Sequence, residues 1–272
     1  MNSRLGQGTW SMGEVASRRA QEVRALQLGM DLGMTVIDTA EMYADGGAEE
    51  VVGEAIAGRR GEVYLVSKVL PQNASRKGVI EACERSLRRM KVDHLDLYLL
   101  HWQGSQPLQQ TLDGFMELKK AGKIREFGVS NFDVHDMRAA AQLHGGDGIT
   151  VNQVLYNLRR RGVEWDLLPW CREREIPLMA YSPLESDRKE QLSLLADPAL
   201  TAVAGHHRCT PAQIALAWLM RDPLVVPIPK ASSAEHVKEN AGALAITLRQ
   251  EDFATLDKAF PPPRRATPLD VL

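Results

Sequence analysis

An α/β fold, specifically a closed (β/α)8 barrel, is what this sequence predicts, on three observations. Short apolar runs alternate with amphipathic helical stretches almost to the end of the chain. There are eight such strand–helix units, and roughly 250 residues is the usual size of such a barrel. The strands read as continuous apolar runs, as in VYLVSK and LDLYLL, which is the pattern of parallel strands covered on both faces.

The elements follow in order. Residues 5–10 make a first strand and 17–32 a helix, with Val23, Leu26 and Met30 on one stripe. Residues 35–38 are strand, 49–57 a short helix, and 63–68 strand. In 75–90, Val79, Ile80, Cys83, Leu87 and Met90 recur at helical spacing. Strand is expected at 95–100, helix at 108–121, strand at 124–129, helix at 133–143, strand at 149–151, helix at 166–175 and strand at 178–181. Residues 186–205 insert further helical material. Residues 211–221 form a helix with Thr210 as N-cap and Pro211 at its first position. Strand 224–228 and helix 233–243 complete the eighth unit, and residues 249–260 add a helix before a proline-rich tail. One domain over residues 1–272 is expected, with no linker or repeat beyond the βα rhythm.

Composition narrows the function. The chain has 272 residues, 44% of them hydrophobic, and a formal charge of −2, so one large core is affordable. No basic stripe suggests nucleic acid or an anionic membrane surface. The apolar runs are strand-sized, too short to span a membrane. Cys83, Cys171 and Cys209 lie far apart and read as buried thiols in a reducing cytoplasm. His206 and His207 read as surface-loop residues, and no metal site is expected.

In such barrels chemistry gathers where strands end. Asp38 ends the second strand, with Glu41 and Tyr43 in the loop behind it. Lys68 ends the third, His101 and Trp102 the fourth, Ser130 and Asn131 the fifth. Asn152 and Gln153 lie at the sixth, Tyr181 and Ser182 at the seventh, Lys230 at the eighth. A phenol is a poor acid, with an ordinary pKa of about 10. An ammonium at ~4 Å, with an effective dielectric of ~20, favours the phenolate by roughly 4 kcal/mol. Lys68 is therefore expected to bring Tyr43 down towards neutrality as a general acid, with Asp38 holding Lys68 charged. His101 can donate a hydrogen bond to an oxygen undergoing reduction.

These stretches carry a resemblance. GQGTW, IDTAEMY, VYLVSK, LDLYLLHW, GKIREFGVSNF, VNQVLYN, AYSPL and IPKASSAEHVKENAGA occur in an order that resembles the aldo-keto reductases, above all small bacterial reductases of methylglyoxal and other reactive carbonyls. The resemblance implies a (β/α)8 barrel, a nicotinamide cofactor (NADPH, with NADH possible) and no metal. It places the catalytic tetrad on Asp38, Tyr43, Lys68 and His101, with Tyr43 as proton donor. It implies that Ser130, Asn131 and Gln153 hold the carboxamide and that Tyr181 stacks on the nicotinamide. Ser182 and Leu184 would begin the pyrophosphate loop, and Lys230, Ser232, His236, Glu239 and Asn240 would meet the adenosine end. Ser232 with Glu235 also reads as a capping box. Trp10 and Trp102 are expected to line an open substrate pocket.

Two departures from the family bear on expectation. His236 stands where many relatives have an arginine for the 2′-phosphate, and Ala231 where a serine is common. Few residues precede GQGTW, where relatives carry a hairpin under the barrel, so the floor is expected to be exposed unless the chain has been trimmed. The glycine-rich GQGTWSMG lacks the third glycine of a dinucleotide fingerprint. The sequence thus predicts NADPH-dependent reduction of small aldehydes or ketones by a cytoplasmic monomer. The alternative is a nucleotide-binding, redox-sensing module of the same fold that acts through a partner.

Overall fold

Most strands bury apolar side chains on both faces, and that requirement builds the molecule; the first, Gly-Gln-Gly, contributes none. A computed structural model describes residues 3–272. Its strands are β1 (Gly6–Gly8), β2 (Val36–Asp38), β3 (Tyr64–Val69), β4 (Leu95–Leu100), β5 (Ile124–Ser130), β6 (Ile149–Leu155), β7 (Leu178–Tyr181) and β8 (Val225–Pro227). The helices between them are α1 (Arg19–Asp31), α2 (Gly47–Ala55), α3 (Arg76–Met90), α4 (Leu108–Lys120), α5 (Val134–Ala140) and α6 (Leu167–Glu173). The later helices are α7 (Arg188–Leu195), α8 (Pro198–His207), α9 (Pro211–Leu219), α10 (Ala234–Gly242) and α11 (Gln250–Ala259).

The strands pair in parallel in chain order, β1 to β8. The ring closes where the Gly8 N–H donates to the Pro229 carbonyl at 3.0 Å. Glycine is needed at this seam: a Cβ on Gly8 would sit 2.8 Å from the Ile228 oxygen, and one on Gly6 would sit 2.9 Å from the Ile228 side chain. Inside the ring, Val36, Val66, Leu97, Leu99, Val151, Met179 and Ile228 form the packed interior, with Tyr64 and Tyr181 at its margins. The larger core lies between strands and helices. Barrel interiors of this kind are filled, so chemistry is left to the rim.

The eight expected units are all present, with shifts at their ends. β1 stops at Gly8 because the chain turns at once, Met12 N–H donating to the Thr9 carbonyl at 3.0 Å. β6 runs on to Leu155, well past the expected end at 151, and so carries Gln153 within the sheet. α5 ends at Ala140, after a reciprocal cap between Asp133 and Asp136 starts it. Thr210 caps α9 as expected, in a reciprocal box with Gln213. Two expectations are corrected. His206 and His207 occupy the last turn of α8, not a loop, and His207 Nε2 meets Asp252 Oδ2 of α11 at 2.8 Å. The cap of α10 is Ser233, which accepts from His236 N–H; Ser232 lies one residue too early for that bond. None of the described helices is long and apolar enough to cross a membrane.

Candidate active site at the strand exits

Register places the charged side chains. Asp38 pairs with Val66, so Lys68, two residues further along β3, rises one layer above it on the same inner face. Lys68 in turn pairs with Leu99, which puts His101 one layer higher again. Lys68 is fully buried, and its ammonium meets three acceptors: Asp38 Oδ2 at 2.7 Å, the Thr39 carbonyl at 2.9 Å and Tyr43 Oη at 3.1 Å. An ammonium has three hydrogens and no lone pair, so all three are committed. Tyr43 Oη is therefore the acceptor of the Lys68 bond, and the phenolic hydrogen stays free of it. No described residue accepts that hydrogen.

Loop geometry fixes the phenol. After Tyr43 the backbone takes three successive left-handed residues, Ala44 at φ 51°, Asp45 at φ 56° and Gly46 at φ 91°. Two of these are non-glycine and each costs about 1–2 kcal/mol. A Cβ on Gly46 would fall 2.3 Å from Arg89 Nε, so only glycine lets that arginine pass beneath the loop. Arg89 donates to Glu49 Oε2 at 2.9 Å, and Ser67 donates to Glu49 Oε1 at 2.6 Å. The loop that carries Tyr43 is thus anchored to the strand that carries Lys68. Glu41 secures the next exit, accepting from Leu70 N–H and Asn73 Nδ2, each at 2.9 Å.

Electrostatics correct one expectation. Burial pushes the Tyr43 phenol above its ordinary value; the Lys68 charge and hydrogen bond oppose this, and the Asp38 charge adds to it. Lys68 therefore moderates the phenol without bringing it near neutrality, because a buried phenolate loses its water. The phenol keeps its proton at working pH. Burial also works against the Lys68 ammonium, but Asp38 and Tyr43 outweigh it and hold the group charged. His101 is lowered to about 3, first by burial and then by Lys68, so it is a neutral imidazole.

The rings form a continuous wall. Trp10 meets Tyr43 edge-on at 5.0 Å, Tyr43 meets His101 at 5.8 Å, and His101 meets Trp102 at 4.8 Å. Trp10 is 56% exposed and Trp102 37%, so the wall faces open solvent. Two half-open clefts lie elsewhere. One of about 360 Å³ touches Glu164, Arg172 and Arg221. Another, of about 560 Å³, lies at the floor against Tyr64 and Glu126.

The other expected positions surround this wall unevenly. Ser130 Oγ donates to the Gln153 carbonyl at 2.9 Å, and Gln153 Nε2 donates to Asp38 Oδ1 at 2.8 Å. Asn131, left-handed at φ 61°, donates to the His101 carbonyl at 3.2 Å and accepts from Tyr181 Oη at 2.8 Å. Ser182 is also left-handed, and its carbonyl accepts from Asn157 Nδ2 at 3.0 Å, while Leu184 is buried. Lys230 is exposed, with Nζ 3.4 Å from Ser232 Oγ. His236 lies exposed on the first turn of α10, the Glu239 carbonyl accepts from Gln213 at 2.9 Å, and Asn240 is buried. The sequence did not single out Thr39, Glu49 or Arg89. Asp-Thr at a strand end was the only available hint of the first. The pairing of Glu49 with Arg89 links two helices and leaves no local pattern.

A model described as the aldo/keto reductase family matches residues 4–260. The chain belongs to the aldo/keto reductase family. Methylglyoxal reductase YeaE of Escherichia coli (strain K12) is 51% identical over 98% of this chain and 94% of its own length. A glyoxal reductase of Bacillus subtilis (strain 168) is 36% identical over 83% of this chain and 78% of its own. Among solved structures, an aldo/keto reductase from Klebsiella pneumoniae in complex with NADP and acetate superposes with a TM-score of 0.97. It is 51% identical and covers 99% of this chain and 95% of that one. These relatives agree with an oxidoreductase acting on carbonyl groups.

Proposed function

We propose that this aldo/keto reductase uses NADPH to reduce small reactive aldehydes and ketones, 2-oxoaldehydes such as methylglyoxal or aromatic aldehydes, with Tyr43 as proton donor. One observation carries the reading: the Tyr43 oxygen accepts from a fully buried ammonium while its own hydrogen is uncommitted at the mouth. A carbonyl oxygen set against this wall meets that hydrogen and the N–H of a neutral His101. Negative charge then develops on oxygen where two donors already point. When bound, the nicotinamide supplies a hydride to the carbonyl carbon, and the cofactor leaves oxidised. The oxygen takes the Tyr43 proton. The phenolate left behind is held by Lys68 until solvent returns a proton.

The residues present fit the cofactor. Gln153 Oε1 accepts from no described residue, and Asn131 keeps one amide hydrogen and one lone pair beyond its two bonds. Tyr181 offers a half-exposed ring at the same rim. Exposed Lys230 and the start of α10 suit a phosphate. His236 lacks the bidentate fork of arginine, which narrows the preference for NADPH over NADH. The relatives solved with NADP and with NADPH support the same choice. Nothing favours the redox-sensing alternative over a reductase. The test is nicotinamide oxidation with methylglyoxal and an aromatic aldehyde, NADPH and NADH side by side. Turnover greater with NADPH is expected; no turnover of any aldehyde or ketone with either cofactor overturns the reading.

A further inference from the structure

Gln153 does more at this site than face the cofactor. Its Nε2 lies 2.8 Å from Asp38 Oδ1, while the other Asp38 oxygen receives Lys68 at 2.7 Å. Which way an amide points is usually ambiguous, because its nitrogen and oxygen look alike. Here chemistry decides it: a carboxylate paired with an ammonium can only accept, so the amide nitrogen must face Asp38. The side chain has little freedom. Gln153 is 1% exposed, Met179 Sδ lies 3.9 Å from Nε2, and the residue's carbonyl is held by Ser130 Oγ at 2.9 Å and Asn131 N–H at 2.9 Å. Gln153 and Asp38 are 115 residues apart, on opposite arcs of the ring, so this bond spans the barrel interior.

We infer that Gln153 is a positioning residue for the proton donor: its amide fixes Asp38 so that Lys68 remains aimed at the Tyr43 oxygen. The inference rests on the reductase reading for its consequence in turnover, but not for its geometry. Without the amide N–H, one oxygen of a buried carboxylate is left without a partner, and it draws the ammonium away from the phenol. The charged and titratable groups facing this point are Lys68 from β3, Tyr43 from the exit of β2 and His101 from β4. Tyr181 from β7 comes next around the rim, close enough to feel Tyr43. His101 is neutral above a pKa of about 3. One cation therefore balances one carboxylate, and a second carboxylate here would be uncompensated.

That balance gives a pH-resolved test. Gln153→Glu keeps the shape. While the new carboxyl is protonated it can still donate to Asp38; once ionised it repels Asp38. Its pKa is raised by folding, so the variant's stability is retained below about 4.3 and lost as pH rises through the folded value. The cofactor-free variant should lose melting temperature relative to wild type progressively from pH 5 to pH 8. Its turnover should approach wild type at the acid end and fall at least tenfold by pH 8. Gln153→Met, which cannot donate at any pH, should lose roughly 10–100-fold in turnover across the whole range, as expected for a lost charge-assisted bond. Burial alone also raises the new carboxyl, so the link is read by adding Asp38→Asn: relative to Asp38→Asn alone, the double variant should lose most of the pH-dependent melting offset, and an offset as steep as that of Gln153→Glu against wild type overturns the inference. Should Gln153→Glu not fold at pH 8, recovery of folding there on adding Asp38→Asn supports it, whereas no recovery, or a Gln153→Met variant with wild-type turnover, refutes it. Wild-type protein that turns over no carbonyl defeats the reductase reading instead, and the melting comparison then decides the Gln153–Asp38 link alone.

Discussion

Strand β3 has a tyrosine near each end, and the two phenols are used in opposite ways. At the floor, Tyr64 opens the strand and its hydroxyl donates to Glu126. At the mouth, Lys68 near the other end of the strand donates to Tyr43. Burial is the leading influence on both phenols and raises both. The neighbours then diverge: Glu126 pushes Tyr64 further up, while Lys68 pulls Tyr43 back. Burial alone therefore does not distinguish the proposed acid from a structural phenol. The direction of the hydrogen bond does, because Tyr64 has spent its proton on a carboxylate and Tyr43 has not.

The strongest challenge to this contrast is a pair of phenylalanine substitutions. Tyr43→Phe should lower kcat by about 10²–10⁴-fold, the usual range for a lost general acid, with NADPH affinity retained in a fluorescence titration. Tyr64→Phe should leave kcat unchanged. Next comes Lys68→Met, which leaves Asp38 charged, buried and unpaired. Denaturant unfolding should show a loss of about 3–5 kcal/mol, and adding Asp38→Asn should recover much of that stability but none of the activity. His101 gives an effect that is absent at neutral pH and builds only on acidification. Its pKa of about 3 lies below the ordinary value near 6.5, so the unfolded chain binds a proton there that the folded chain refuses. Stability should therefore fall as pH drops from about 6.5 towards 3, by up to ~1.4 kcal/mol per pH unit, and His101→Asn should flatten that limb. The smallest effect is at the floor: Glu126→Gln should cost about 1 kcal/mol in unfolding and leave turnover untouched.

The barrel was legible because most of its strands are apolar on both faces and helices such as α3 carry clear stripes. The tetrad was legible because strand exits in such a fold share one mouth, so Asp38, Lys68 and His101 could be placed together before any distance was known. Three things were hidden. The net direction of the Tyr43 shift depends on how completely its loop buries it, and that follows from the left-handed turn at 44–46 and Arg89 beneath it. The bond from Gln153 to Asp38 crosses the ring, and no local spacing encodes it. The cap of α10 fell on Ser233 where the S-x-x-E spacing favoured Ser232, because neighbouring serines offer the same signal one residue apart.

The central claim concerns where one hydrogen lies, so locating hydrogens tests it most directly. Neutron diffraction from deuterated, cofactor-free crystals at neutral pH should show three deuterons on Lys68 Nζ. One should sit on Tyr43 Oη, directed away from the lysine and towards the mouth. Two deuterons on Lys68, with the Tyr43 deuteron pointing at the nitrogen, would mean that the phenol is the donor in that bond, and the account would be wrong.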